Sequence, residues 1–151
     1  MKKIKIVLII LIVCLQTSCE DYPRDTHGAL NKVIERGDLR VGLIEHPPWV
    51  YDTHSEPQGS EVELVEDFAK GLGVNVKWFN TGEHLLIAQL QKGELDIVIG
   101  GLLDNTVWNK TVALTRPYRQ GSSNNHTMAI RLGENAFLIK LEKFLREKLY
   151  A

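Results

Sequence analysis

Apolar residues recur with two different spacings along the chain, and the alternation of these spacings predicts helices and strands in turn. Gaps of three and four residues predict four helices, which end at Gly37, at Gly71 and Gly73, at Gly93 and near the C-terminus. Their apolar faces consist of Leu30, Val33 and Ile34 in the first helix; Val62, Val65, Phe68, Ala69 and Leu72 in the second; Leu86, Ile87 and Leu90 in the third; and Phe137, Leu141, Phe144, Leu145 and Leu149 in the fourth.

Shorter apolar segments predict the strands. Val74, Val76 and Trp78 alternate with polar residues, as they do in a strand with one buried face. The segment 96–100 has only apolar residues in its middle, which is typical of a strand covered on both faces in a parallel sheet. Further strands are expected at 39–44, around 112–114 and at 127–132. Strands that alternate with helices predict an α/β fold with a mostly parallel sheet and right-handed crossovers.

Polar and turn-forming residues indicate where these elements begin and end. Thr26 precedes the first helix and is expected to cap its start. Gly37 follows the same helix, where a residue in the left-handed conformation commonly ends it. Ser60 and Glu63 have the spacing of a capping box at the start of the second helix. Two prolines at 47 and 48 end the first strand, and 52–59 is expected to be a polar loop.

The N-terminus has the layout of an export signal. Three lysines precede an apolar run over 6–15, which is too short to span a ~30 Å hydrocarbon core, and a small polar step then leads to Cys19. The segment resembles a bacterial lipoprotein signal, which implies that Cys19 is lipid-modified and that 19–27 is a tether after a signal over 1–18. Two alternatives are soluble secretion after Ser18 and modification of Cys14, although bulky Val13 disfavours Cys14.

Composition narrows the range of partners. The first 18 residues carry three lysines and no acid, so the remainder has a net charge of about −4, against −1 for the whole chain. Nucleic acid is therefore excluded as a natural partner, because binding to phosphate backbones rests on clustered lysine and arginine. Both cysteines lie in or at the end of the signal, so the exported part has no internal disulfide and is long enough for one compact core.

Several segments together carry a resemblance to a known family. The chain is similar to family 3 of the bacterial extracellular solute-binding proteins, the amino-acid-type receptors of ABC importers. The segments that carry this resemblance are Gly37-Asp38-Leu39-Arg40-Val41-Gly42, Pro47-Pro48-Trp49, Gly59-Ser60-Glu61-Val62-Glu63-Leu64, the stretch from Leu90 to Gly101 that reads LQKGELDIVIGG, and Leu114-Thr115-Arg116-Pro117-Tyr118.

The resemblance implies a periplasmic-binding-protein-like fold reduced to one lobe. Such receptors close two α/β lobes on a small ligand at the carboxyl ends of the strands. Residues 28–118 match the first lobe, and 119–126 is expected to be a short loop in place of the second lobe. The segment 127–151 then supplies a returning strand and helix that complete the first lobe. One lobe offers half of a cleft, so we expect weaker binding or the need for a partner surface.

The resemblance also indicates candidate ligand-binding residues. Trp49 stands where the family presents an aromatic ring, which suits an amine-bearing solute, although it could equally cap the edge of the core. Gly100, Gly101 and Leu102 follow the third strand, where backbone groups hold the ligand's polar head. They could equally form a plain turn from strand to loop.

Two positions depart from the pattern of amino-acid receptors. The family usually has Thr or Ser and then Arg after the glycine to bind an α-carboxylate, whereas this chain has Leu103 and Trp108. Asp104 would repel a carboxylate. A standard α-amino acid is therefore a less favoured ligand than a cationic, apolar or aromatic solute. Asp104 could also have a purely structural role as the cap of a short helix.

The chain shows no pattern for a metal or a cofactor. Four possible metal ligands are expected near the end of the first strand, where the ligand would bind, but they lack the spacing of a metal site: Glu45, His46, His54 and Asp104. We therefore expect neither a metal nor a cofactor. No set of nucleophile, base and orienting group can be identified, and the chain is expected not to be an enzyme.

These observations predict a lipid-anchored, extracytoplasmic receptor at the periplasmic face of a membrane. It would bind a small-molecule solute for an ABC permease or a sensor protein. Two alternatives stay open. One is a truncated paralogue without ligand capture that acts as a scaffold, and the other is the sensory lobe of a larger enzyme.

Overall fold

A computed structural model describes residues 24–51, 53–120 and 125–150. Within these residues there are four helices, which are α1 (Ala29–Arg36), α2 (Ser60–Leu72), α3 (Glu83–Lys92) and α4 (Asn135–Tyr150). The six strands are β1 (Asp38–Leu43), β2 (Asn75–Phe79), β3 (Ile97–Leu103), β4 (Ala113–Leu114), β5 (Arg119–Gln120) and β6 (Asn125–Ile130). The predicted signal, Cys19 and most of the tether lie outside the described residues.

The strands form one sheet in the order β2-β1-β3-β6-β4, with β5 also paired to β6. Strand β1 pairs in parallel with β2 on one side and with β3 on the other. The returning strand β6 joins β3 antiparallel, and β4 and β5 pair antiparallel with β6. The α/β single-lobe fold is confirmed, and the sheet is mixed because the last three strands add an antiparallel half.

The two faces of the sheet have separate apolar cores. Alternate residues of β1 point to opposite faces, so Leu39, Val41 and Leu43 lie on one face while Gly42 meets α3 on the other. Helices α1, α2 and α4 cover the first face, and α3 covers the second. Both faces of β3 are buried, which accounts for its continuous apolar sequence.

The starts of α1 and α4 are capped together by two acids. Asp25 accepts hydrogen bonds from the amides of Leu30 and Phe137, and Glu134 accepts one from the amide of Ala29. The prediction that Thr26 caps α1 is wrong, because its hydroxyl donates to the carbonyl of Gly133. The predicted left-handed cap at Gly37 is confirmed by a φ of 76°.

Helix α2 begins without the predicted capping box. Its N-cap is Gly59 and no side chain caps it, so neither Ser60 nor Glu63 has the role that its spacing suggested. Gly59 has a φ of 129°, and a Cβ there would overlap the Trp49 carbonyl. The close approach of the preceding loop therefore determines how this helix starts.

Two segments in the second half of the chain differ from the prediction. In the segment expected to be a loop, Arg119 pairs antiparallel with His126 and Gln120 with Asn125. The segment 104–111 forms successive turns, so the short helix that Asp104 was expected to cap is not formed. Within the described part of the chain, no helix is long and apolar enough to span a membrane.

Candidate functional site

The carboxyl ends of β1, β2 and β3 meet along one edge of the sheet, together with the start of β6. We call this edge the carboxyl edge and define it by residues 44–51, 53–59, 80–82, 100–104 and 125–126. The first turns of α2 and α3 lie at the same edge, because each helix follows the loop after a strand. The predicted convergence of the strand ends is confirmed by the register of the β1–β2 and β1–β3 pairs.

The carboxylate of Glu61, in the first turn of α2, lies beneath this edge and is fully buried. Its Oε2 accepts hydrogen bonds from the amides of Gly100 at 2.7 Å and Gly101 at 3.0 Å. Its Oε1 accepts a hydrogen bond from the hydroxyl of Tyr118, which is also buried. One acid therefore joins α2, the end of β3 and the segment after β4.

Burial raises the pKa of Glu61 above its usual 4.5. Desolvation is the largest cause, since a buried carboxylate loses the hydration of its charge. The hydrogen bonds from Tyr118, Gly101 and Gly100 lower the pKa, as does the nearby ring of His46, without reversing the shift.

Gly100 and Gly101 form an irregularity in β3, where the register to β6 shifts between Val98 and Leu102. Their φ values are 149° and 65°, which a residue with a Cβ rarely adopts. The two amides therefore point to the same oxygen of Glu61. Glu61 occupies the amides of Gly100 and Gly101 that we expected a ligand to use.

Trp49 packs directly over this irregularity. A Cβ on Gly101 would overlap the Trp49 ring and lie 2.8 Å from Nδ1 of His46. The ring of Trp49 is half-buried and lies 4.0 Å, between centroids, from the ring of His126. Nδ1 of His46 lies 3.1 Å from the carbonyl oxygen of Gly100. At the mouth, by which we mean the solvent-facing side of the carboxyl edge, the Trp49 ring therefore lies near two imidazole rings, those of His46 and His126.

Polar contacts connect the loop after β1 to the loop after β2. The Asn80 amide donates to the hydroxyl of Thr53 at 2.7 Å and lies 3.3 Å from Nδ1 of His54. Thr53 is buried, whereas Asn80 and His54 are exposed. These contacts hold the loop after β1 across the ends of the strands.

The remaining candidates lie along the same edge but take different roles. Leu102 is buried, and its carbonyl accepts a hydrogen bond from Thr127. Asp104 is exposed and accepts a hydrogen bond from the Asn125 amide at 2.8 Å. Trp108 lies against the first turn of α3, where its indole donates to Glu83 at 2.6 Å. This places Trp108 on the α3 side of the sheet.

The carboxyl edge is acidic in sequence. Its segments and residue 52 contain Glu45, Asp52, Glu56 and Asp104 but neither lysine nor arginine. Acids at this edge favour a cation over an anion there, and the half-buried Trp49 ring has a quadrupole that also favours a cation. Among residues 24–51, 53–120 and 125–150, no group of three or more His, Cys, Asp or Glu is placed to hold a metal ion.

A separate cavity of about 600 Å³ lies away from this edge. It is formed by the C-terminal half of α4 and the segment after β4, and its lining includes Arg116, Tyr118, Lys143, Arg146 and Tyr150. The lining also contains Glu142, which pairs with Arg116, so three cations against one acid leave a net positive charge that disfavours a cationic solute. It nevertheless gives an alternative location against which binding at the edge can be tested.

Sequence reasoning missed Glu61 as a residue of the site, and it did not indicate that Tyr118 bonds to Glu61. The signal for Glu61 is its spacing, because it lies three, four and seven residues before Leu64, Val65 and Phe68. An acid on the apolar stripe of a helix is buried, and a buried acid needs donors. The position of Tyr118 after β4 gives no comparable signal, since its partner lies 57 residues away.

Comparisons with known proteins are in agreement with this fold. The family model of bacterial extracellular solute-binding proteins, family 3, matches residues 39–147. Among solved structures, the arginine-bound form of domain 1 from TmArgBP is 30% identical, with a TM-score of 0.70. The match covers 77% of this chain and 97% of that domain.

Two kinds of curated relatives match much smaller shares of their own length. A membrane-bound lytic murein transglycosylase F from Idiomarina loihiensis is 32% identical over 114 residues, which is 74% of this chain and 24% of that protein. A probable histidine-binding protein from Campylobacter jejuni is 26% identical over 109 residues, 72% of this chain and 40% of that protein. The chain thus spans a quarter to two fifths of these relatives.

Proposed function

The chain belongs to the bacterial extracellular solute-binding proteins, family 3, and from this we propose that it is an extracytoplasmic receptor lobe that binds a small cationic solute at its carboxyl edge. The observation that carries the proposal is the Trp49 ring packed over Gly101 at an edge whose segments carry Glu45, Glu56 and Asp104. The ring supplies a face for an amine or guanidinium group, and the surrounding acids supply the opposite charge.

A single lobe is sufficient for such binding in a related protein. Domain 1 of TmArgBP has been solved in an arginine-bound form, and this chain spans 97% of that domain at 30% identity. We therefore choose L-arginine as the first probe. Since only one lobe encloses the solute, we expect an affinity in the micromolar to millimolar range, which corresponds to about −8 to −4 kcal/mol.

The anchoring and the partner are proposed on the sequence. Cys19 would carry the lipid, and the tether that follows it would hold the lobe outside the membrane. A permease of the ABC type would receive the solute, because the resemblance is to receptors of such importers. Metabolic labelling with a fatty-acid analogue tests the anchor, since a Cys19→Ala variant should lose the label and a Cys14→Ala variant should keep it.

Isothermal titration calorimetry tests the binding proposal. L-arginine should give saturable heat with one site per chain, and L-glutamate, which carries the opposite side-chain charge, should give none. Trp49→Ala should weaken arginine binding at least tenfold. The proposal is wrong if arginine gives no saturable heat at millimolar concentrations, or if glutamate binds more tightly than arginine.

A second candidate function is the sensory lobe of a cell-wall enzyme. It is favoured by the transglycosylase F relative, which matches 74% of this chain. In that case the solute would be a fragment of murein and the lobe would act together with a catalytic domain. Calorimetry with soluble murein fragments in place of arginine distinguishes the two, since the receptor lobe proposed above should show no saturable heat with them.

A further inference from the structure

We infer that Glu61 is the positioning residue of the carboxyl edge, because it fixes the Gly100–Gly101 irregularity and Trp49 in the geometry that receives the solute. The inference rests on the proposed function. Glu61 is buried beneath the edge, so it would affect the solute only through the residues that it positions.

The side chain of Glu61 determines the course of β3 at the mouth. Two consecutive amides donate to one oxygen, at 2.7 Å from Gly100 and 3.0 Å from Gly101. In a regular strand consecutive amides point to opposite sides, so this convergence exists only where the strand is irregular. Without an acceptor at this place, two buried amides would be unpaired.

The backbone of Glu61 holds the facing loop. Its amide donates to the Trp49 carbonyl at 3.1 Å, and the preceding amide of Ser60 donates to the Pro48 carbonyl at 3.3 Å. The same residue therefore holds Trp49 through its backbone and, through its side chain, holds the glycines that the Trp49 ring covers.

Tyr118 completes the arrangement on the side of β6. Its hydroxyl donates to Glu61, and its amide donates to the carbonyl of His126 at 3.1 Å. The His126 ring in turn contacts the Trp49 ring. Every hydrogen-bonding partner of the Glu61 side chain is thus a residue of the mouth or is bonded to one.

The hydrogen-bonding geometry does not depend on the charge of Glu61. Oε2 accepts from both glycine amides in either protonation state, and a protonated Oε1 can donate to Tyr118 Oη instead of accepting from it. Glutamine can reproduce this pattern, because its carbonyl oxygen can accept from the two amides while its NH₂ group donates to Tyr118. Leucine has a similar volume but no acceptor, and so cannot.

Two substitutions in the full chain test this inference by calorimetry with L-arginine. Glu61→Leu should weaken binding at least tenfold, and Glu61→Gln should keep the affinity within about threefold of wild type. Glu134→Leu is the matched control, because Glu134 is also buried and accepts hydrogen bonds from the amides of His27 and Ala29 at the opposite edge of the sheet. It should lower the melting temperature and leave the affinity of the folded chain within about twofold.

The inference is overturned if Glu61→Leu binds arginine as wild type does. It is also overturned if Glu134→Leu loses as much affinity as Glu61→Leu, since a general loss of stability would then explain both results. Failure of Glu61→Gln to retain binding would equally contradict it.

A measurement without solute separates this inference from the proposed function and needs no variant that folds poorly. In ¹⁵N-resolved spectra of the wild-type chain and Glu61→Gln, the amides of Gly100 and Gly101 should exchange slowly with solvent. Fast exchange in wild type would overturn the positioning role even if arginine binds. If these amides exchange slowly but the wild-type chain does not bind arginine, the hydrogen bonds to Glu61 are supported and the proposed solute is wrong.

Discussion

At the scale of single residues, the mouth depends on glycines where two backbone segments meet. Gly101 has a φ of 65°, and a Cβ there would overlap the Trp49 ring. Gly71 is different, because it lies in α2 with no positive φ and with open space where its Cβ would be. The two positions therefore form a matched pair for the same substitution.

Gly101→Ala should lower the free energy of unfolding by about 1–3 kcal/mol, because a left-handed backbone and a displaced Trp49 both cost energy. Gly71→Ala should raise it by about 0.5–1 kcal/mol, since alanine is the better helix former. Urea denaturation measures both changes. Equal effects of the two substitutions would contradict the close approach of Trp49 to Gly101.

Glu61 also predicts a dependence of stability on pH. Burial raises its pKa in the folded state above 4.5, so the folded chain binds the proton more tightly than the unfolded chain does. As the pH rises from 4.5 through the raised pKa, this group therefore lowers the free energy of unfolding. Glu61→Gln lacks the titration, and the groups that both proteins share cancel in their difference.

Urea denaturation at a series of pH values from about 4 to 8 measures the stability of wild type minus that of Glu61→Gln. This difference should fall as the pH rises above 4.5. A difference that rises with pH would mean that the hydrogen bonds to Glu61 outweigh its desolvation.

The site residues were predictable from the sequence only in part. The family resemblance indicated Trp49, Gly100 and Gly101, and the structure brings these residues together at the carboxyl edge, while their role in binding stays a prediction. The role of Glu61 could not be predicted from the sequence, because it depends on the amides of Gly100 and Gly101, which lie 39 and 40 residues away. The contact between Trp108 and Glu83 could not be predicted either, because the two residues lie 25 positions apart, and a role of Trp108 in binding stays a prediction.

At the scale of elements, periodicity identified the helices correctly, but capping depended on contacts between distant segments. The starts of α1 and α4 share Asp25, whose carboxylate accepts from Leu30 and from Phe137, a residue 112 positions away. A local pattern such as Thr26 before α1 or Ser60 before α2 cannot reveal such a cap. The end of β3 was likewise placed at Gly100, whereas the strand continues to Leu103 through its irregularity.

Asp25→Ala should therefore destabilise the chain by about 2 kcal/mol, because one substitution removes a capping hydrogen bond from each of two helices. Asp67→Ala is the control, since Asp67 makes an exposed ion pair with Lys148 and should leave the urea midpoint nearly unchanged. If the two variants unfold at the same urea concentration, the shared cap does not contribute to stability.

At the scale of the whole molecule, the order of the elements was predictable while the pairing of the last strands was not. The alternation of strands and helices up to β3 indicated the parallel half of the sheet, with β1 between β2 and β3. The antiparallel half follows from β6, which pairs antiparallel with β3, β4 and β5. The result is a lobe whose strand ends, aromatic ring and acidic loops all lie at one edge, where a solute can reach them from solvent.

The most direct test of this account is a ¹⁵N-resolved titration of the full chain with L-arginine, which maps binding onto individual residues. Saturable shifts should centre on Trp49, Gly101, Asp104 and His126 at the carboxyl edge, and the residues around Arg146 on α4 should not move. Saturable shifts confined to the cavity beside α4, or no shifts at millimolar arginine, would contradict a receptor lobe that binds its solute at the carboxyl edge.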